Sequence, residues 1–142
     1  MAISCQSVSI DPMDEPSAVV RVMIADDSTP IRERLAALLW EIPGVVVIAE
    51  TSDVPATMER VLDLLPDIVL LDINMPGGTG FDVLEHIREQ GLSTMAVVIT
   101  THEECEYENR ARASGAAAFF NKSRDFIAAA EFVRKFTQEG HR

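Results

Sequence analysis

Residues 68–80 read Ile68-Val69-Leu70-Leu71-Asp72-Ile73-Asn74-Met75-Pro76-Gly77-Gly78-Thr79-Gly80. A short, wholly apolar run stops on an aspartate and passes into a stretch dense in turn-forming residues. A helical segment, Phe81 to Glu89, follows and is closed by Gly91. An apolar run with no polar alternation fits a strand buried on both faces, as in the middle of a parallel sheet. Three other runs have the same form. Val19–Ala25 ends on Asp26 and Asp27, Ala96–Ile99 ends on Thr100, and Ala116–Phe120 leads through Asn121 to Lys122.

Working outward, strand-like and helix-like segments alternate along the chain. Strands are expected at about 19–25, 45–49, 67–72, 95–100 and 116–120, and helices at about 30–42, 55–65, 81–89, 103–114 and 123–138. In the first helix Ile31, Leu35, Leu38, Leu39 and Ile42 share a face, at helical spacing. Pro30 suits the first turn, with Ser28 or Thr29 as cap. Alternation of this kind implies an α/β fold, a (βα)5 doubly wound parallel sheet with helices on both faces. Residues 1–18 show no sustained periodicity and read as an extension, 19–138 as one domain, and 139–142 as a tail.

If the runs are parallel strands, their ends gather three carboxylates, one hydroxyl and one ammonium at one edge. That edge is where open α/β sheets bind ligands. Three converging carboxylates repel one another, and a divalent cation removes the conflict. Carboxylates, a backbone carbonyl and waters suit Mg2+. An aspartate at the centre can attack a phosphoryl group and form an acyl phosphate, with the ammonium of Lys122 and the hydroxyl of Thr100 neutralising charge.

Composition bounds the alternatives. With 142 residues and 47% apolar content, a chain of this size hides roughly 70% of its unfolded surface. The net charge of −11 sets it against phosphate backbones and anionic membranes, so no direct nucleic-acid or membrane binding is expected. Two cysteines, Cys5 and Cys105, read as ordinary thiols in a reducing compartment. The first residues lack a basic stretch and a long apolar stretch, so no secretory signal is read. No run reaches the ~20 apolar residues that span a bilayer. The expected location is the cytoplasm.

Ala25-Asp26-Asp27-Ser28, Leu71-Asp72-Ile73-Asn74-Met75-Pro76-Gly77-Gly78-Thr79-Gly80, Val98-Ile99-Thr100 and Phe119-Phe120-Asn121-Lys122 resemble the receiver domain of two-component response regulators. The match covers about residues 20–138, and the spacing between its parts makes it specific. The resemblance implies a flavodoxin-like fold with strand order 2-1-3-4-5. It makes Asp72 the phospho-acceptor, with Thr100 and Lys122 acting on the phosphoryl group. Asp26 and Asp27 become the acidic pair, Asp27 the closer metal ligand, and Asp72 and the Asn74 backbone carbonyl further ligands of Mg2+. It implies a sensor histidine kinase or histidine phosphotransfer protein as donor, and a downstream protein that reads the α4-β5-α5 face. His102 and Asn74 match positions that flank the attacking water, and Phe119 matches a switch position that often holds Tyr or His.

One departure concerns the loop after Lys122, where Ser123 stands in place of the family's usual proline. A cis bond there would cost about 2.5–4 kcal/mol without proline, so a trans bond and a differently set loop are expected, with Ser123 capping the last helix. In that helix Phe126, Ala130 and Val133 share one side. Ala129, Phe132 and Phe136 widen the apolar arc beyond what a surface helix needs, which assigns Phe132 and Phe136 to a partner or homodimer surface. The leading reading is a stand-alone phosphoacceptor switch, not an enzyme beyond its own phosphotransfer and dephosphorylation. The alternatives are a degenerate receiver that binds without phosphate, a receiver fragment of a longer regulator, and a Mg2+-dependent aspartyl-phosphate phosphatase. The last needs a second acid where Asn74 stands.

Overall fold

The computed structural model describes residues 19–101, 105–122 and 125–138. Five strands lie parallel in one sheet: β1 (Val20–Ala25), β2 (Val45–Thr51), β3 (Ile68–Leu71), β4 (Met95–Thr100) and β5 (Ala118–Asn121). Across the sheet they run β2-β1-β3-β4-β5, as the resemblance implies. The helices are α1 (Thr29–Trp40), α2 (Val54–Leu64), α3 (Gly80–Glu89), α4 (Cys105–Ala113) and α5 (Phe126–Gln138).

All four residues of the central strand β3 are buried, because alternate side chains of a strand leave by opposite faces. Val69 and Leu71 enter a core shared with Val61 of α2, Phe81 and Leu84 of α3 and Ala111 of α4. Ile68 and Leu70 enter a second core with Leu35 and Leu39 of α1 and Phe126, Ala129 and Val133 of α5. A strand covered on both sides has no solvent face, which is why its sequence shows no polar alternation.

Helix starts follow local capping chemistry. Ser28 caps α1, its hydroxyl accepting from the Ile31 amide at 3.4 Å. Asp53 caps α2 in the same way, accepting from the Ala56 amide at 2.8 Å, so α2 begins one residue before the expected Pro55. Strand β2 runs two residues beyond Ala49, and β5 is shifted to Ala118–Asn121. There Ala116 is taken up in closing α4, its amide donating to the Ala111 carbonyl at 2.9 Å. The last helix starts at Phe126 rather than Ser123. Asp125 precedes it, its carbonyl accepting from Ala129 at 2.9 Å and its carboxylate from the Asn121 amide at 3.0 Å. Ser123 and its peptide bond lie outside the described residues, as do 1–18, His102 and 139–142.

The buried side of α5 carries Phe126, Ala129 and Val133, with Ala130 at its margin. Phe132 and Phe136 are half-buried and pack against the same core, and the Phe132 ring meets Phe120 edge-on at 6.1 Å between centroids. Because α5 lies against both the sheet and α1, it needs a wide apolar arc, and packing within the domain engages both rings. The large apolar residue of α5 that faces outward is Ile127. No described helix is long and apolar enough to cross a membrane.

Strand register sets up the site. Ala25 pairs with Leu71, Leu71 with Val98, and Val98 with Phe119. One residue further along β1 and β3 stand Asp26 and Asp72. Two residues beyond Val98 stands Thr100, paired with Asn121, and Lys122 follows. The polar strand ends are therefore level with one another at the C-terminal edge.

Candidate functional site

Asp26 is almost wholly buried, and each of its polar groups is engaged. Its amide donates to the Thr51 carbonyl at 3.0 Å. Its Oδ1 accepts from the Ser28 amide at 2.8 Å, and its Oδ2 from Lys122 Nζ at 2.7 Å. Its carbonyl accepts from Arg32 Nη1 at 2.7 Å. Asp27, by contrast, is exposed at the mouth of the site.

Asp72 is also buried. Its amide donates to the Ala25 carbonyl at 2.9 Å, extending the β1–β3 ladder to the site itself. Oδ2 accepts from Lys122 Nζ at 3.1 Å, and Oδ1 lies 3.3 Å from the Asn74 amide. Burial pushes the Asp72 carboxyl up from 3.8 to about 6. Lys122 pulls against that shift and the charge of Asp26 adds to it. Burial also works against the Lys122 ammonium, but its hydrogen bond to Asp26 and the charges of Asp72 and Asp26 outweigh this and raise it above the ordinary lysine value.

Carboxylate oxygens of Asp26, Asp27 and Asp72 all lie within 4.8 Å of one another. Three carboxylates, two of them buried, against one ammonium leave two negative charges uncompensated. That charge balance and the all-oxygen donor set fit a divalent cation such as Mg2+, which Asp26, Asp27 and Asp72 could hold.

The structure brings Asp26, Asp27, Asp72 and Lys122 together, with Asn74 beside them. Lys122 is aimed into the site although Ser123 follows it. Thr100 is fully buried at the end of β4, and its carbonyl accepts from the Lys122 amide at 2.8 Å. Phe119 is half-buried against the core under α2, α3 and α4.

Two contributors were missed in the sequence. Gly80 opens α3 with its amide on the Ile73 carbonyl at 2.7 Å. A Cβ there would stand 2.6 Å from the Asp72 carbonyl oxygen and 2.9 Å from Ile73 Cα, so only glycine lets α3 start so close to Asp72. The glycine-rich loop was the signal for it. Arg32 reaches back to the Asp26 carbonyl, and nothing in its sequence context marks it.

Comparison with known proteins agrees with this geometry. The response regulator receiver domain family matches residues 22–133. The NarL transcriptional regulatory protein of Mycobacterium tuberculosis is 36% identical over 103 residues, covering 72% of this chain and 48% of that protein. A protein-glutamate methylesterase/protein-glutamine glutaminase of Geobacter sulfurreducens is 35% identical over 103 residues, covering 72% of this chain and 28% of that protein. The chain thus spans about half, or less, of the length of these curated relatives. The solved signal receiver domain of Mycobacterium tuberculosis NarL superposes with a TM-score of 0.79 at 32% identity, covering 84% of this chain and 97% of that one. By its strand order, its acidic strand ends and these matches, the chain belongs to the response regulator receiver domain family.

Proposed function

We propose that this domain is a signalling switch that accepts a phosphoryl group on Asp72 from a sensor histidine kinase or a histidine phosphotransfer protein. The observation that carries this reading is the setting of Asp72: buried, 3.1 Å from Lys122, and within 4.8 Å of two further carboxylates that can share a cation with it. An Asp72 carboxylate oxygen attacks phosphorus in line. The new P–O bond forms as the P–N bond to the donor imidazole breaks, and the imidazole nitrogen leaves with the electron pair. Asp26, Asp27, Asp72 and the Asn74 backbone carbonyl are the groups to hold Mg2+. When bound there, the ion supplies charge neutralisation for the phosphoryl oxygens.

The chain's own residues do the rest. The ladder bond from Asp72 to Ala25 fixes the acceptor's backbone. Lys122 sits between Asp26 and Asp72, ready to pair with a phosphoryl oxygen once Asp72 no longer carries a free charge. Thr100, one strand over, supplies a hydroxyl to the same group. Since the Thr100 carbonyl holds the Lys122 amide, a shift of one moves the other, and with them the face formed by α4, β5 and α5. A downstream protein that binds one arrangement better is thereby switched.

The test is incubation of the chain with Mg2+ and acetyl phosphate, followed by intact mass. A single phosphoryl adduct that needs Mg2+ and disappears in Asp72→Ala is expected. Absence of any adduct with acetyl phosphate or a kinase would contradict the reading, and so would steady turnover of phosphate esters.

A further inference from the structure

Arg32 lies in the first turn of α1, outside the set of groups that face the phosphoryl position. Its three donor nitrogens go to three different elements. Nη1 donates to the Asp26 carbonyl at 2.7 Å, Nη2 to Thr29 Oγ1 at 3.1 Å, and Nε to Glu50 Oε1 at 3.3 Å. Its side chain is 17% exposed, whereas that of Glu50 is 39% exposed. The shortest of these contacts is to the carbonyl of the Asp26–Asp27 peptide. Fixing that carbonyl fixes the plane of the peptide, and the plane sets the directions in which both carboxylates leave the backbone. The Asp26 amide on one side is held by Thr51 and the Asp26 carboxylate is held by Ser28, so Arg32 supplies the remaining restraint.

We propose that Arg32 is a positioning residue that clamps the Asp26–Asp27 peptide and so sets the affinity of the acidic pair for a divalent cation. This rests on the Mg2+-assisted reading above. Geometry and charge make opposite demands here, which makes the idea testable. A guanidinium beside a cation site repels the cation, so a purely electrostatic Arg32 weakens metal binding and its removal tightens it. A clamp does the reverse. Lysine keeps the charge but lacks the planar fork that spans a carbonyl, a hydroxyl and a carboxylate together.

The experiment is calorimetric titration of the full chain with Mg2+, for wild type, Arg32→Gln, Arg32→Lys and Glu50→Gln, alongside thermal unfolding of each without metal. Arg32→Gln and Arg32→Lys are each expected to weaken Mg2+ binding about tenfold, the lower end of what loss of a ligand's supporting contact does. Glu50→Gln, at an exposed position that leaves the fold intact, is expected to weaken it less but in the same direction. Unchanged or tighter binding in Arg32→Gln overturns the clamp, as does a variant that loses stability while keeping its Mg2+ affinity. Should an Arg32 variant fail to fold, unchanged binding in Glu50→Gln overturns it. A wild-type chain that binds no Mg2+ overturns the phosphoacceptor reading and the clamp together, whereas wild-type binding with indifferent variants overturns the clamp alone.

Discussion

The two halves of the sheet hold their functional residues differently. On the β1–β3 side, Asp26 has every polar group engaged, Asp72 is laddered to Ala25, and α3 starts in contact with the Asp72 carbonyl through Gly80. On the β4–β5 side, Ala111 is the fully buried side chain among the described side chains of α4. The helix touches α3 through Tyr107, 6.0 Å from the Phe81 ring centroid, and through Arg110, 4.0 Å above the same ring. Acidic and basic residues make up most of the rest of α4. The difference separates two jobs. Asp26 and Asp72 are held by backbone and side-chain contacts, Asp27 is exposed, and α4 is lightly seated, as the proposed switch requires of an element that shifts with a small change in charge.

The largest effect is expected on the fixed side. Gly80→Val places branched carbons where even a Cβ would stand 2.6 Å from the Asp72 carbonyl oxygen. A loss of about 3 kcal/mol in denaturant unfolding is expected, in the upper range for overpacking, together with loss of phosphorylation. If Gly80→Val were neutral, the close approach of α3 to Asp72 would not be the restraint described.

Next is the charge on Asp72. Its carboxyl binds a proton more tightly in the folded chain, at about 6 against 3.8. Below pH 3.8 both states are protonated and the residue is neutral to stability. Stability then falls as the pH rises through about 6, where the folded state must accept a buried charge. Asp72→Asn is therefore expected to stabilise the metal-free chain by about 3 kcal/mol at pH 7.5, from the size of the shift, with the gain vanishing near pH 4. Unfolding titrations in a chelator at several pH values check this, and a gain that grows on acidification would have the wrong sign.

The smaller effects belong to the lightly seated side. Tyr107→Ala removes one ring contact on α3 and is expected to cost about 1 kcal/mol, while raising hydrogen exchange in α4 without raising it in β1 or β3. Glu108 and Arg112 form an exposed pair on α4 at 3.0 Å. Glu108→Gln is expected to change stability by less than about 0.5 kcal/mol. A large loss from either variant would mean that α4 is as firmly held as the β1–β3 side.

Much of this was legible in the sequence because the signals were local. Four apolar runs ending on polar residues gave the strands and their common edge, since a buried parallel strand leaves polar groups only at its ends. Sheet order could be expected from the family's pattern alone; that pattern pairs Lys122 with the phosphoryl group, and its bonds to Asp26 and Asp72 are a finding of the structure. Departures came where long-range packing decides. The wide apolar arc of α5 was read as a binding surface; it also packs on two neighbours within the domain, the sheet and α1, and periodicity cannot tell a second neighbour from a partner. Strand β5 was displaced because Ala116 closes the end of α4. Arg32 was illegible for a similar reason, because its partner carbonyl is six residues away and its role depends on the angle at which α1 leaves β1.

The central claim is that the phosphoryl group goes to Asp72 and to no other acid of the cluster. Borohydride reduces an aspartyl phosphate to homoserine, so the most direct measurement is reduction of the phosphorylated chain followed by peptide sequencing by mass spectrometry. Homoserine at position 72 alone is expected, with Asp26 and Asp27 unchanged. Homoserine at position 26 or 27, or none in a chain that carries the phosphoryl mass, would contradict the account.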